Sequence, residues 1–245
     1  MALLKTIIDF TIVGITLIVL SPLGMGIFLL SRLGLNKSMA WVIYKIAQVW
    51  SWLLIACTGC KLTVQGREHI PAKGGLCFVS NHGSIFDILI IVALVGRPVG
   101  FIAKKELALI PFLNLWIFLL GGLFVDRKNI RKALGTMQKG VKRIQAGGSM
   151  VIFPEGTRSH GQGLLPFRAG ALKLATQAKA PIVPIVIQGS YEIFEKTLRV
   201  RAVPVRATFL PPIDTASLSA EERRQHLSNQ VYMQIAQALQ VEPAS

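Results

Sequence analysis

Residues 78–90 read FVSNHGSIFDILI. An apolar, strand-like run ends at Asn81 and His82, and a second apolar run soon follows with Asp87 inside it. An imidazole and a carboxylate are the pair that general-base chemistry needs. The carboxylate accepts a hydrogen bond from one ring nitrogen and fixes the tautomer; the other nitrogen takes a proton from a hydroxyl. On an α-helix, positions five apart lie about 140° from each other around the axis. The pair can therefore meet only if His82 occupies the turn before a helix and Asp87 its first turn. Gly83 permits a tight turn there, and Ser84 can cap a helix beginning at Ile85. A second reading stays open on spacing alone. Ser84-x-x-Asp87 is also a capping-box pattern, in which Asp87 ties off the helix and His82 is a loop histidine.

Three further apolar runs are interrupted in the same manner. GGLFVDRKN (121–129) ends in Asp126 and Arg127, VIFPEGTRS (151–159) in Glu155, Gly156, Thr157 and Arg158, and APIVPIVIQGS (180–190) carries Pro184 inside the run. Arginines at strand ends suit an anion, because a guanidinium grips phosphate through two parallel bonds. When either arginine is taken alone, a solvated turn is the simpler reading. There is no G-x-S-x-G elbow, and Ser84 fits a cap better than a nucleophile. If His82 is a base, the attacking group is then the substrate's own hydroxyl.

The composition narrows the setting. The chain of 245 residues holds 27 Lys+Arg against 12 Asp+Glu, a formal charge of +15, yet only 16% of residues are charged. Ordinary soluble domains carry roughly 25%. Hydrophobic residues make up 52%, and mean hydropathy is +0.53. A chain both apolar and basic points to an anionic membrane surface before nucleic acid, for which no zinc-finger spacing, ribonucleoprotein motif or polar basic arm is present. Cys57-Thr-Gly-Cys60 lacks the second ligand pair of a zinc site, so the three cysteines read as structural thiols in a reducing cytosol, with no metal expected.

Two long apolar runs come first. Residues 6–30 are about long enough to cross a bilayer core, with Asp9 and Pro22 as complications. Residues 39–57 follow a polar gap at 31–38, and Trp41, Tyr44, Trp50 and Trp52 with Lys45 read as interface anchors. The expected unit is a membrane-anchoring helical hairpin over 1–60. Beyond Lys61 the texture alternates. Strands are expected near 62–66, 76–80, 99–103, 122–125, 149–153, 182–188 and 202–209, and helices near 85–94, 105–120, 128–146, 168–179 and 219–240. Residues 107–125 are apolar enough for a third membrane span, but Pro111, Asn114 and Gly121-Gly122 favour a buried or interfacial helix followed by a strand. In the helix at 128–146, Ile130, Leu134, Met137, Val141 and Ile144 form an apolar stripe. Lys128, Arg131, Lys132, Lys139, Lys142 and Arg143 occupy its other faces. Ser219-x-x-Glu222 opens the last helix as a capping box. Alternation of this kind predicts an α/β domain over 61–245, with a mostly parallel central sheet flanked by helices and preceded by the hydrophobic hairpin.

Taken together, NHGSIFD, GGLFVDR, FPEGTRS and VPIVIQGS resemble the four motifs of the glycerolipid acyltransferases in order and spacing, over roughly residues 62–210. The 1-acylglycerol-3-phosphate acyltransferases are the nearest group. The resemblance implies acyl transfer from acyl-CoA or acyl carrier protein, as co-substrate and with no bound cofactor, to the hydroxyl of lysophosphatidic acid. It assigns His82 as base and Asp87 as its orienting partner. Arg127 and the Glu155-Gly156-Thr157-Arg158 loop become the glycerol phosphate site, with Lys104 nearby and Pro184 in the pocket wall. A carboxylate repels phosphate, so Glu155 is expected to brace the loop. Membrane lipids are the expected partners, at the cytoplasmic face. The competing expectations are another acceptor (glycerol 3-phosphate or a different lysolipid), a hydrolase in which water replaces the acceptor, and a non-catalytic lipid binder, which would need no general base.

Overall fold

The computed structural model describes residues 2–31 and 36–240. Residues 32–35, part of the polar gap between the two apolar runs, lie outside the described residues, as does the side chain of Ile130. Helices α1 (Ala2–Leu30) and α2 (Asn36–Thr58) are both long and apolar enough to cross a membrane by length and composition. They pack antiparallel: Lys5 Nζ donates to the Cys57 carbonyl (2.7 Å) near one end, and Trp50 Nε1 donates to Thr16 Oγ1 (2.8 Å) further along. Helix α1 continues across Pro22.

A seven-stranded sheet follows, made of β1 (Lys61–Gln65), β2 (Cys77–Ser80), β3 (Val99–Lys104), β4 (Leu123–Val125), β5 (Ser149–Ile152), β6 (Ile182–Gln188) and β7 (Pro204–Phe209). Its spatial order is β1-β7-β6-β2-β5-β3-β4, and every pairing is parallel except β6 with β7. The mostly parallel sheet is the one expected. Strands β2 to β6 all run in one direction, so their carboxyl ends share one edge, where ligands bind in open α/β sheets.

Side chains alternate across the sheet. Phe78, Val151, Val183 and Ile185 join one core with Ile27, Ile43, Tyr44 and Ala47 of the hairpin and with α3 (Phe86–Leu94) and α4 (Leu113–Leu119). Cys77, Val79, Met150 and Ile152 enter the second core, beneath α5 (Ile130–Gln145), α6 (Lys173–Ala178) and the C-terminal helices. With both faces covered, these strands are apolar throughout. The three cysteines are free, and burial pushes the Cys77 thiol up to about 12.

Several sequence expectations are corrected. The helix expected at 105–120 is two pieces, a 3-10 turn at Lys105–Leu109 and α4. Pro111 cannot continue the helix, and Phe112 takes a positive φ of 63° directly after it. Helix α6 starts at Lys173 because Gly170, at φ 75°, holds the preceding segment in a turn. The last helix divides at His226 into α8 (Ala220–Gln225) and α9 (Leu227–Gln240), while the capping box on Ser219 and Glu222 forms as its spacing predicts. A short helix absent from the sequence reading, α7 (Ser190–Ile193), follows β6. Tyr44 is no interface anchor: it is fully buried and donates to the Val92 carbonyl at 3.0 Å. On α5, Val141 and Ile144 are buried, but Leu134 is exposed. Arg143 leaves the solvated face and reaches over the chain to the Leu120 carbonyl, and burial lowers its pKa.

Candidate active site

Strand β2 ends at Ser80, and the next residue replaces the ladder with its side chain. Asn81 Nδ2 donates to the Ile187 carbonyl, and Asn81 Oδ1 accepts the Ile187 N–H, both at 2.8 Å. This two-point splice ties the turn to the end of β6 and leaves His82 at the carboxyl edge of the sheet.

His82 and Asp87 meet. Nδ1 lies 2.9 Å from Asp87 Oδ2, and the carboxylate is fully buried. The same oxygen accepts the N–H groups of Gly83 (2.8 Å) and Ser84 (2.9 Å), and Oδ1 accepts the Ser190 hydroxyl at 2.5 Å. Capping and orientation are thus performed by one side chain. A buried carboxylate in the first turn of α3 is offset by these donors and by the positive end of the helix. Ser84 Oγ accepts the Phe86 N–H at 3.0 Å, but the residue that precedes α3 is Ile85, which has no side-chain cap, so α3 starts one residue later than the spacing predicts. Gly83 contributes an amide hydrogen rather than an unusual backbone angle. The imidazole stacks on Phe153, with centroids 3.9 Å apart and planes 16° from parallel. Among the described residues, Nε2 has no protein partner.

The loop after β5 is latched to this turn. Glu155 is buried; its Oε1 accepts the His82 N–H at 2.7 Å and its Oε2 the Leu165 N–H at 2.9 Å. Burial holds its carboxyl above the ordinary glutamate range, while the two amide donors pull the other way. A further bond runs from Ser159 N to the His82 carbonyl at 2.7 Å. Arg127 reaches across from the end of β4 and donates to the Gly156 carbonyl. Burial and the charge of nearby Arg168 lower the pKa of Arg127. Arg158 Nη1 pairs with Glu195 Oε1 at 3.2 Å. Thr157 is exposed, as is Lys104, which closes β3 opposite Val125 in the register. Its neighbour Lys105, not Lys104, pairs with Asp126, at 2.9 Å. Pro184 is buried in β6 opposite Val79, inside the strand rather than at the edge that carries His82.

The structure thus gathers His82, Asp87, Glu155 and Gly156, with Arg127 and Arg158 attached through Gly156 and Glu195. Sequence reasoning missed Ser190 and Glu195. Ser190 stood at the end of the fourth interrupted run and was legible by position. Glu195 lies 111 residues from Ser84 and belongs to no local pattern. A separate cleft of about 410 Å³ lies between α6 and the C-terminal helices, lined by Lys173, Thr176, Arg223 and Ser228, away from His82.

An oriented imidazole beside arginine-bearing loops, at the carboxyl edge of a covered, mostly parallel sheet, has the chemistry to take a proton from a hydroxyl and to pair with an anion. The family model for acyltransferases matches residues 61–188, and the chain belongs to that family. A 1-acyl-sn-glycerol-3-phosphate acyltransferase of Limnanthes douglasii is 37% identical over 167 residues, 66% of this chain and 58% of that protein. The human enzyme of that name, alpha form, is 38% identical over 168 residues, 67% of this chain and 59% of the relative. The Borreliella burgdorferi enzyme is 32% identical over 183 residues, covering 74% and 73% respectively. The chain thus spans less than two thirds of the length of the plant and human relatives. The crystal structure of the 1-acyl-sn-glycerophosphate acyltransferase PlsC from Thermotoga maritima has the same fold. Its TM-score is 0.84 at 24% identity, over 100% of this chain and 98% of that one.

Proposed function

We propose that the chain transfers a fatty acyl group from a thioester, acyl-CoA or acyl carrier protein, to the free hydroxyl of 1-acylglycerol 3-phosphate, giving phosphatidic acid. The observation that carries this reading is the His82–Asp87 contact, with Nδ1 held at 2.9 Å by a buried carboxylate and Nε2 left over. Nε2 takes the hydroxyl proton as the oxygen attacks the thioester carbonyl. That attack forms the new C–O bond; the tetrahedral intermediate then collapses with return of the carbonyl and cleavage of the C–S bond. The imidazolium returns its proton to the departing thiolate. No covalent acyl-enzyme forms.

Arg127, Arg158 and Lys104 supply positive charge for the acceptor's phosphate, with Gly156 and Thr157 in the same loop. Glu155 serves that loop as its brace, since both of its oxygens already accept backbone N–H groups. The apolar hairpin holds the protein at a membrane, with the α/β domain on the cytoplasmic side, where the lipid acceptor is taken without full extraction into water. The test is transfer of labelled acyl groups by detergent-purified protein to a panel of acceptors, beside His82→Ala. The expected result is transfer to 1-acylglycerol 3-phosphate that the variant loses while remaining folded and membrane-bound. A variant as active as the parent, or a trapped acylated protein, overturns the mechanism.

A further inference from the structure

Glu195 stands outside the four interrupted runs, in the segment after α7, and its side chain is only 7% exposed. Both of its oxygens are used. Oε2 accepts the Ser84 hydroxyl at 2.8 Å, and Oε1 accepts the Ile85 N–H at 2.7 Å and Arg158 Nη1 at 3.2 Å. One carboxylate therefore holds both the turn that opens α3, which carries His82 and Asp87, and the guanidinium of Arg158. Its own position is set from the other side by the hairpin. Phe194 packs on Phe10 with centroids 4.9 Å apart, and the Val200 N–H donates to Thr6 Oγ1 at 2.8 Å.

We infer that Glu195 is a positioning residue for the acceptor site, fixing one edge of Arg158 so that its remaining donors face an incoming phosphate at a set distance from His82. The inference rests on the proposed acceptor. A neutral amide could still bond Ser84 and Ile85, one as acceptor and one as donor. Only the cation, Arg158, requires the charge. Arginine carries five N–H donors, and Glu195 takes one of them, which restrains the plane of the group while leaving the others available. A guanidinium held in advance binds an anion without the cost of first being ordered.

Glu195→Gln keeps the volume and removes the charge, so it separates the two duties. The detergent-solubilised full chain is assayed for transfer, and for equilibrium binding of labelled 1-acylglycerol 3-phosphate and of 1-acylglycerol without the phosphate. The expected result is about a tenfold rise in the acceptor KM, with a matching loss of binding for the phosphate-bearing lipid alone and little change in kcat. In an Arg158→Ala background, Glu195→Gln adds nothing further, because the two residues act as one unit. A variant that matches the parent in KM and binding overturns the inference and leaves the acyltransferase reading standing. So does one that lowers kcat alone, or that adds its full effect on top of Arg158→Ala; each marks Glu195 as merely structural. A parent chain that neither acylates nor prefers the phosphate-bearing lipid overturns the acceptor reading and the role of Glu195 together.

Discussion

Glu155 holds His82 by its backbone: Oε1 accepts the His82 N–H at 2.7 Å, and Oε2 accepts the Leu165 N–H at 2.9 Å. The acid of the arginine loop is thereby spent on placing the imidazole. In Glu155→Gln the amide nitrogen must face one of two N–H donors, leaving that donor unsatisfied in a buried site. The expected loss is about 1–3 kcal/mol of stability. A fall in kcat accompanies it, read from thermal unfolding and from steady-state transfer.

The same residue gives a pH signature. Burial raises the folded-state pKa of Glu155 above the ordinary value of 4.5. Between the unfolded and folded values the native state binds the extra proton, so stability falls as pH rises through that window. Stability is fullest below the unfolded value and flattens above the folded one. Unfolding of the parent and Glu155→Gln across the acid range should show the parent's margin shrinking with rising pH. A margin that grows instead would place the ionised form as the favoured one in the fold.

Asp87 accepts from His82, Gly83, Ser84 and Ser190. Asp87→Asn offers one oxygen where the carboxylate offered two, and sets an amide donor among N–H and O–H donors. The imidazole then loses its fixed tautomer, and kcat is expected to drop by about 10²–10⁴. Ser190→Ala removes only one bond to the charged group, worth about 1.5–3 kcal/mol, and leaves the His82 contact in place. Transfer assays should rank Ser190→Ala well above Asp87→Asn in residual activity.

Gly156 has φ of 69°, and a Cβ placed on it would lie 2.4 Å from Nε of Arg168. Arg168 in turn bonds the Glu155 carbonyl at 3.2 Å, so the side chain cannot withdraw without releasing the loop. Gly156→Ala combines a strained backbone, on the order of 1–3 kcal/mol, with this clash. Lowered thermal stability and a raised acceptor KM are expected together, since the carbonyl of Gly156 also holds Arg127.

Much of this site was legible because its first part is local. His82 and Asp87 are close in the chain, and a five-residue offset leaves few geometries, so the turn could be placed from spacing, and the helix start to within one residue. The bracing role of Glu155 followed from charge, because a carboxylate does not serve phosphate. Glu195 was invisible for the opposite reason: its partners are brought to it only by sheet order, which sets β6 beside β2. Tyr44 misled because an aromatic ring in an apolar run looks the same whether it faces lipid or a neighbouring helix. In the long apolar stretch at 107–125 a helix followed by a strand was rightly expected, but the helix was carried across Pro111, where the chain breaks it.

The two cores also bear on how the protein sits at a membrane. Along α1, Leu3, Leu4, Ile7, Ile15, Ile18, Val19 and Leu29 are exposed, while Ile27 enters the core shared with α4. Lys139 and Lys142 project from α5, which covers the opposite face of the sheet. Moving the exposed part of each of these side chains of α1 into lipid contributes about 1 kcal/mol, and the row of them adds up. A cation near an anionic surface adds on the order of 1 kcal/mol and is screened by salt. Attachment should therefore survive a high-salt wash and yield to detergent. The double variant Lys139→Glu with Lys142→Glu should leave the membrane fraction unchanged, whereas charged replacements at Ile7 and Ile18 should lower it. Fractionation of the full-length chain before and after a molar salt wash checks this, and active protein in the salt supernatant would show that charge, not the apolar face of α1, does the holding.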